Sequence, residues 1–200
     1  MVITDEAVAS SPRDLVAICR AAASGGATMI QVRLKRAAAR ETVQITRALV
    51  QALDLPVMVN DRLDVALIAG AAGCHLGRDD LPLAAARRIA PPGFILGASV
   101  GSPEEAEAVG KAPDYWSIGP CFATATKLDA GAPLGSEGFA RLRALAPPEM
   151  PVIAIGGITA ANAGSLRRAG ATGVAVVSAV FSASDPAAAA RAVRLGVESA

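Results

Sequence analysis

Gln31, Arg33 and Lys35, spaced two apart in "QVRLK", put one amide and two cations on the same side of an extended strand, because strand side chains alternate with period two. That set suits an anion: arginine offers a planar fork to phosphate and lysine a compact charge. The plainer reading is a solvated strand end. "VNDRLD" places Asn60 and Asp61 just after one apolar run, and "HLGRDD" places Asp79 and Asp80 just after the next. One acid from each of two adjacent strands could share a divalent cation. Mg²⁺ takes hard oxygen ligands, usually one or two carboxylates completed by substrate phosphates. Helix capping is the competing use of these acids, and Asp80, directly before "LPLAAARR", is the better placed to cap.

Four further segments carry polar groups of the same character. Ser99 ends "FILGAS". Thr124, Thr126 and Lys127 lie in "GPCFATATKLDAGAPLG", a connection too long to be slack in a compact domain. Gly156 and Gly157 in "AIGGI" allow a close backbone approach, and Ser178 in "VVSA" follows Val177 at the end of the last apolar run. Loops after the last two strands of a parallel barrel commonly hold phosphate through N–H groups; a tight turn alone would also explain the glycines. His75, the sole histidine, reads as a packed interior residue, and Cys19, Cys74 and Cys121 as small core residues. No Ser/His/Asp arrangement is visible. Two cationic clusters, a carboxylate pair and a glycine site describe a protein that binds two phosphorylated ligands, one as a metal-bound diphosphate, and stabilises a leaving group.

Elements that could position such residues follow from the pattern. Eight β-branched runs ("MVIT", "TMIQVRL", "PVMVN", "GCHLG", "FILGAS", "DYWSIG", "PVIAIG", "GVAVVS") alternate with alanine-rich amphipathic runs. Near-continuous apolar strands between helices predict a parallel sheet, and eight equal units predict an α/β fold of the (β/α)8 barrel type, one domain over residues 1–200. Ser11, Ser102 and Asp185, each before a proline, mark helix starts, and Gly25, Gly70, Gly110 and Gly170 mark ends. In such a barrel the chemistry gathers where strands end, and the residues named above fall there.

Composition narrows the partners. Apolar residues make up 52% and net charge is +1, which gives no basic footprint for nucleic acid or an anionic membrane. Aromatics at 3% leave no base-stacking platform. Three scattered cysteines without a CxxC pair argue against a disulfide scaffold or a zinc site. The absence of a basic leader or a long apolar run predicts a cytoplasmic protein with small-molecule substrates; a homo-oligomer is compatible with the sequence.

The order "QVRLK … VNDRLDVAL … GCHLGRDDLP … LGASV … DYWSIGPCFATATK … VIAIGGI … VAVVSAV" resembles the thiamine phosphate synthase (thiamine-phosphate pyrophosphorylase) family across essentially the whole chain. The resemblance implies a transferase. It would join 4-amino-2-methyl-5-hydroxymethylpyrimidine diphosphate to 4-methyl-5-(2-phosphoethyl)thiazole with Mg²⁺, releasing diphosphate by a dissociative mechanism. It also implies roles: Gln31, Arg33, Lys35, Asn60, Ser99 and Lys127 toward the pyrimidine diphosphate, and Asp61 and Asp80 toward Mg²⁺. Arg33, Lys35, Lys127 and Ser99 are then the groups nearest the chemistry. Thr124, Thr126, Gly157, Val177 and Ser178 would take the thiazole phosphate. The chain departs from the family pattern at Leu34, Arg78, Gly101 and Trp116. The alternatives are a thiazole tautomerase relative, which lacks the metal acids and has histidine where this chain has Pro120, a Schiff-base aldolase using Lys35 or Lys127, and a non-catalytic phosphate-binding barrel.

Overall fold

The computed structural model describes residues 1–5, 12–124, 126 and 131–200. Eight strands run parallel in sequence order: β1 (Val2–Ile3), β2 (Ile30–Val32), β3 (Val57–Asn60), β4 (Gly73–Leu76), β5 (Ile95–Val100), β6 (Tyr115–Ile118), β7 (Val152–Ile155) and β8 (Gly173–Ala175). The ends of the sheet meet. Val176 bridges Val2, Ile3 N–H donates to Val176 O at 2.9 Å, and Val176 N–H donates to Met1 O at 3.1 Å. Closure removes both sheet edges and makes a barrel.

Parallel neighbours cannot be joined by a tight turn, so each step needs a crossover, and helices supply them. These are α1 (Pro12–Ser24), α2 (Ala39–Ala52), α3 (Leu63–Ala69), α4 (Leu83–Ile89), α5 (Pro103–Val109), α6 (Gly135–Arg143), α7 (Ala160–Arg168), α8 (Ser178–Phe181) and α9 (Pro186–Glu198). Each shows one face to the sheet. In α2 the buried residues are Thr42, Ile45, Thr46 and Leu49, the spacing of a single helical stripe. Ser102 accepts from Glu105 N–H at 3.3 Å and Asp185 accepts from Ala188 N–H at 2.9 Å, so both are the caps that the sequence predicts. Gly70 closes α3 in the left-handed conformation, φ 73°. Ser11 lies outside the described residues.

The main core lies between strands and helices. Ile30, Val32, Val57, Trp116, Ile118 and Val152 point outward from the barrel and pack with Leu49, Phe139, Leu166 and Phe181. Each such side chain contributes about 1.5–3 kcal/mol when fully buried. Trp116 also donates its indole N–H to Gly110 O at 3.0 Å, which ties β6 to the end of α5.

The opposite face of the strands fills the barrel interior. Register partners share a face, so Asn60, His75, Gly97 and Tyr115 form one level: Asn60 pairs with His75, His75 with Gly97, and Gly97 with Tyr115. A Cβ at Gly97 would sit 2.2 Å from Cζ of Tyr115, so glycine there is what allows the phenol ring to cross the barrel.

Three local features differ from the sequence expectation. β2 stops at Val32, whose partner is Val59, and Thr4 takes over beyond it: Arg33 N–H donates to Thr4 Oγ1 at 2.8 Å. Arg33 and Lys35 therefore sit on the following loop and not on the strand face. β8 stops at Ala175, and "SAVF" after it is a short helix rather than strand. Asp80 does not cap α4, whose N-cap is Pro82 with no side-chain bond; it accepts instead from Gly77 N–H at 2.7 Å. The proline places the carboxylate too early in the chain to reach the first helical turn.

The close approach at Gly97 gives a direct test. Gly97→Ala forces the Tyr115 ring to shift and is expected to lower unfolding stability by about 1–3 kcal/mol. Urea unfolding of the variant beside the parent measures it, and an unchanged midpoint would contradict the packing.

Candidate active site at the strand ends

Two halves of the strand-end rim carry the polar groups. The first spans β2 to β5. Gln31 is buried and donates through Nε2 to Asn60 Oδ1 at 2.8 Å, which locks the amides of two neighbouring strands together. Lys35 Nζ pairs with Asp61 Oδ2. Asp61 N–H donates to His75 O at 2.8 Å, and Asp61 has φ 64°, a positive φ that no other non-glycine among the described residues shows. A non-glycine residue held there costs of order 1 kcal/mol or more and persists only where surrounding bonds fix it. Here the hydrogen bond to β4 and the Lys35 pair do so. The effect is to turn the Asp61 carboxylate toward β4 and Asp80.

Asp80 is held above the usual carboxylate range by partial burial, while Gly77 N–H pulls the other way; contact with Asp61 raises it further, against the Lys35 charge. Two carboxylates brought so close repel unless a cation lies between them. Among the described residues no group of three or more His, Cys, Asp or Glu could hold a metal. A pair of carboxylates could hold Mg²⁺, which needs few protein ligands when phosphate oxygens complete its shell.

Arg78, beside this pair, donates through Nη1 to Glu105 Oε1 at 3.0 Å, and Glu105 Oε2 accepts from Gly101 N–H at 2.7 Å. Two residues that depart from the family pattern, Arg78 and Gly101, are thus joined through one carboxylate. Ser99 is exposed at the end of β5, and its Oγ lies 2.9 Å from His75 Nε2. The other ring nitrogen, Nδ1, lies 3.0 Å from the Tyr115 hydroxyl.

The second half spans β6 to α8. Cys121 N–H donates to Ile155 O at 2.8 Å and Phe122 N–H to Gly156 O at 3.0 Å, so the start of the long connection is sewn to the end of β7. Gly156 and Gly157 are needed for this: at Gly157, φ 62°, a Cβ would lie 2.4 Å from Ala123 O. The glycines serve the approach of the protein's own loop. Thr124 follows directly, and Thr126 N–H donates to Thr124 Oγ1 at 3.3 Å. Val177 caps α8 and Ser178 opens it, exposed at the same rim. Lys127 lies outside the described residues, as do residues 128–130. A cavity of about 480 Å³ exists at the opposite mouth, between the start of β8 and α9, but its two arginines are spent on neighbours: Arg167 on Ala171 O and Arg194 on Glu198. The rim, where unlike charges converge, is the better candidate for chemistry.

The sequence profile of the family described as "Thiamine monophosphate synthase" matches residues 1–180. The chain belongs to that family. A thiamine-phosphate synthase of Methanoculleus marisnigri is 46% identical over 197 residues, covering 96% of this chain and 92% of the relative. That of Chloroflexus aurantiacus is 45% identical over 197 residues, covering 96% and 89%. Among solved structures, a thiamine phosphate pyrophosphorylase from Pyrococcus furiosus superposes with TM-score 0.87 at 39% identity, covering 99% of this chain and 94% of that one. An orotidine 5'-phosphate decarboxylase from Pyrococcus horikoshii, TM-score 0.76 at 16% identity, shares the barrel alone.

Within this family fold, His75 is the packed interior residue that the sequence predicts, but its link to Tyr115 and Ser99 is not legible there. Tyr115 is 40 residues and Ser99 is 24 residues from His75, so only strand register reveals the chain of contacts. Burial pushes the His75 imidazole from 6.5 down to about 4, against a smaller opposing pull from Asp61. A base whose folded pKa lies below its unfolded value takes its proton more readily when unfolded. Its contribution to stability is therefore complete above about 6.5 and is lost as pH falls toward about 4. The expected loss from this group is roughly 3 kcal/mol across that window. Urea unfolding at neutral pH and near pH ~5 measures the slope, and His75→Gln is expected to flatten it.

Proposed function

We propose that this chain is a cytoplasmic thiamine phosphate synthase, coupling the pyrimidine diphosphate to the thiazole phosphate and releasing diphosphate. The observation that carries the reading is the carboxylate pair, Asp61 turned by a left-handed backbone toward Asp80, with Lys35 beside it. Capture of a phosphate alone needs no such pair. Membership of the family and full-length similarity to thiamine-phosphate synthases support the same conclusion. No helix among the described residues is long and apolar enough to cross a membrane, which suits work on small phosphorylated substrates.

In this proposal Asp61 and Asp80 hold Mg²⁺. The ion, when bound, supplies positive charge for the diphosphate as it departs. Gln31 and Asn60, fixed by their mutual bond, orient the pyrimidine half from the barrel interior. Arg33, Lys35 and Lys127 add cations around the leaving diphosphate, and Ser99 contacts the pyrimidine substrate. The C–O bond to diphosphate breaks first, its electron pair leaving on oxygen. The thiazole nitrogen then donates its lone pair to the resulting methylene cation. Thr124, Thr126, Gly157, Val177 and Ser178 anchor the thiazole phosphate across the rim, so the nucleophile is positioned before the cation forms. Loss of the leaving group precedes attack, so the site needs charge stabilisation more than a general base.

The test mixes both substrates with the protein, with Mg²⁺ or with a chelator in excess. Thiamine phosphate is expected only with Mg²⁺. Interconversion of thiazole tautomers without coupling would point to the isomerase relative instead. Asp61→Ala and Asp80→Ala are each expected to lower kcat/KM by at least about a hundredfold with the fold retained by circular dichroism; near-normal turnover in both would remove the metal assignment.

A further inference from the structure

The phenol, imidazole and hydroxyl of Tyr115, His75 and Ser99 form one line from the barrel interior to its mouth, with contacts of 3.0 and 2.9 Å. Hydrogens are placed on that line by elimination. Tyr115 is 5% exposed and His75 6% exposed, so neither can leave a donor unused without cost. The phenol keeps its proton, since burial raises its pKa further above neutral. Its partner among the described residues is His75 Nδ1. Were Nδ1–H the donor, the phenol proton would meet no acceptor among the described residues. The phenol therefore donates and Nδ1 accepts. A buried neutral imidazole carries one proton, which must then sit on Nε2. Nε2–H donates to Ser99 Oγ. With Nε2–H directed at one lone pair of Ser99 Oγ, the Ser99 proton cannot point at His75 and turns outward, where Ser99 is exposed at the rim.

We propose that Tyr115 and His75 are positioning residues that fix Ser99 as a hydrogen-bond donor at the barrel mouth. The substrate atom meeting the Ser99 proton is then an acceptor. This rests on the reading that the rim binds a pyrimidine diphosphate, and it specifies the recognition. The Ser99 proton addresses a ring nitrogen or a diphosphate oxygen. An unpaired serine hydroxyl could turn its proton onto the imidazole, so the relay reserves that proton for the substrate. Gly97 belongs to the same device, because a side chain there would displace the phenol that starts the relay.

His75 is the sole histidine, so full-length protein labelled with ¹⁵N-histidine gives one imidazole spin system. A long-range ¹H–¹⁵N spectrum of the substrate-free protein at neutral pH is expected to show protonated Nε2 and bare Nδ1. Protonated Nδ1 overturns the proposal. Tyr115→Phe removes only the first donor. It is expected to shift the tautomer equilibrium and to lower kcat/KM by about ten- to a hundredfold, the kinetic equivalent of one misdirected hydrogen bond. Ser99→Ala is expected to lose at least as much, and adding Tyr115→Phe to it is expected to cost nothing more. Additive losses, or wild-type kcat/KM in either single variant, overturn the proposal, because a merely structural tyrosine would act independently of Ser99. A parent protein that makes no thiamine phosphate overturns the function reading and the substrate role of Ser99 with it, whereas the tautomer spectrum still decides the order of the hydrogen bonds. The two failures are thus distinguishable.

Discussion

Closure of β8 onto β1 is the constraint from which the site follows. The seam is narrow, a bridge between Val2 and Val176 flanked by two backbone hydrogen bonds. Yet it converts a parallel sheet with two raw edges into a ring, and every strand end is then fixed relative to every other. Residues as far apart in sequence as Gln31 and Ser178 share one rim only because that ring is complete. The large outward-facing core, with Trp116, Phe139, Leu166 and Phe181 buried between strands and helices, stabilises the ring from outside. The interior can therefore spend its volume on polar groups.

On that rim the charges are arranged with each held in tension. Asp61 and Asp80 repel; Lys35 neutralises one of them, and Gly77 N–H partly satisfies the other. The left-handed backbone at Asp61 is the cost of aiming its carboxylate along the rim instead of outward. A region that stores backbone strain and crowded carboxylates in this way is poor for stability, and it is where the proposed function puts its cation and diphosphate. The opposite mouth shows the contrast: Arg194 is paired with Glu198 and Arg167 donates to a backbone carbonyl, and no carboxylate pair is gathered there among the described residues that line it.

The barrel was largely legible in the sequence because buried parallel strands are continuous apolar runs, and eight of them alternate with amphipathic helices. What misled was local. "QVRLK" reads as one strand by its alternation, but the ladder ends where Thr4 replaces a strand neighbour, and no pattern within "QVRLK" announces that. "VVSAV" is β-branched enough to hide the short helix at Ser178. Asp80 has the residue type of a cap, but Pro82 sets the helix start and the carboxylate turns back onto Gly77. The Gly156–Gly157 pair was legible as a close approach, though what approaches is the β6 loop of the chain itself. Types of residue at the rim could be read; their pairings could not, since these depend on register between strands distant in sequence.

The interior shows why register matters for recognition as well as for packing. A serine, a histidine and a tyrosine read separately are an exposed hydroxyl, a packed ring and a strand aromatic. Register places Tyr115 opposite Gly97 and His75 opposite the same glycine from the other side, so the two rings stack at 5.6 Å between centroids. Ser99, two residues beyond Gly97 on the same face, is then the next group the imidazole can reach. Low dielectric inside the barrel makes each of these hydrogen bonds stronger and each unmatched proton more costly. Direction is thereby imposed from the bottom of the relay upward: a buried phenol with one partner decides the tautomer, and the tautomer decides which way the hydroxyl at the mouth can point.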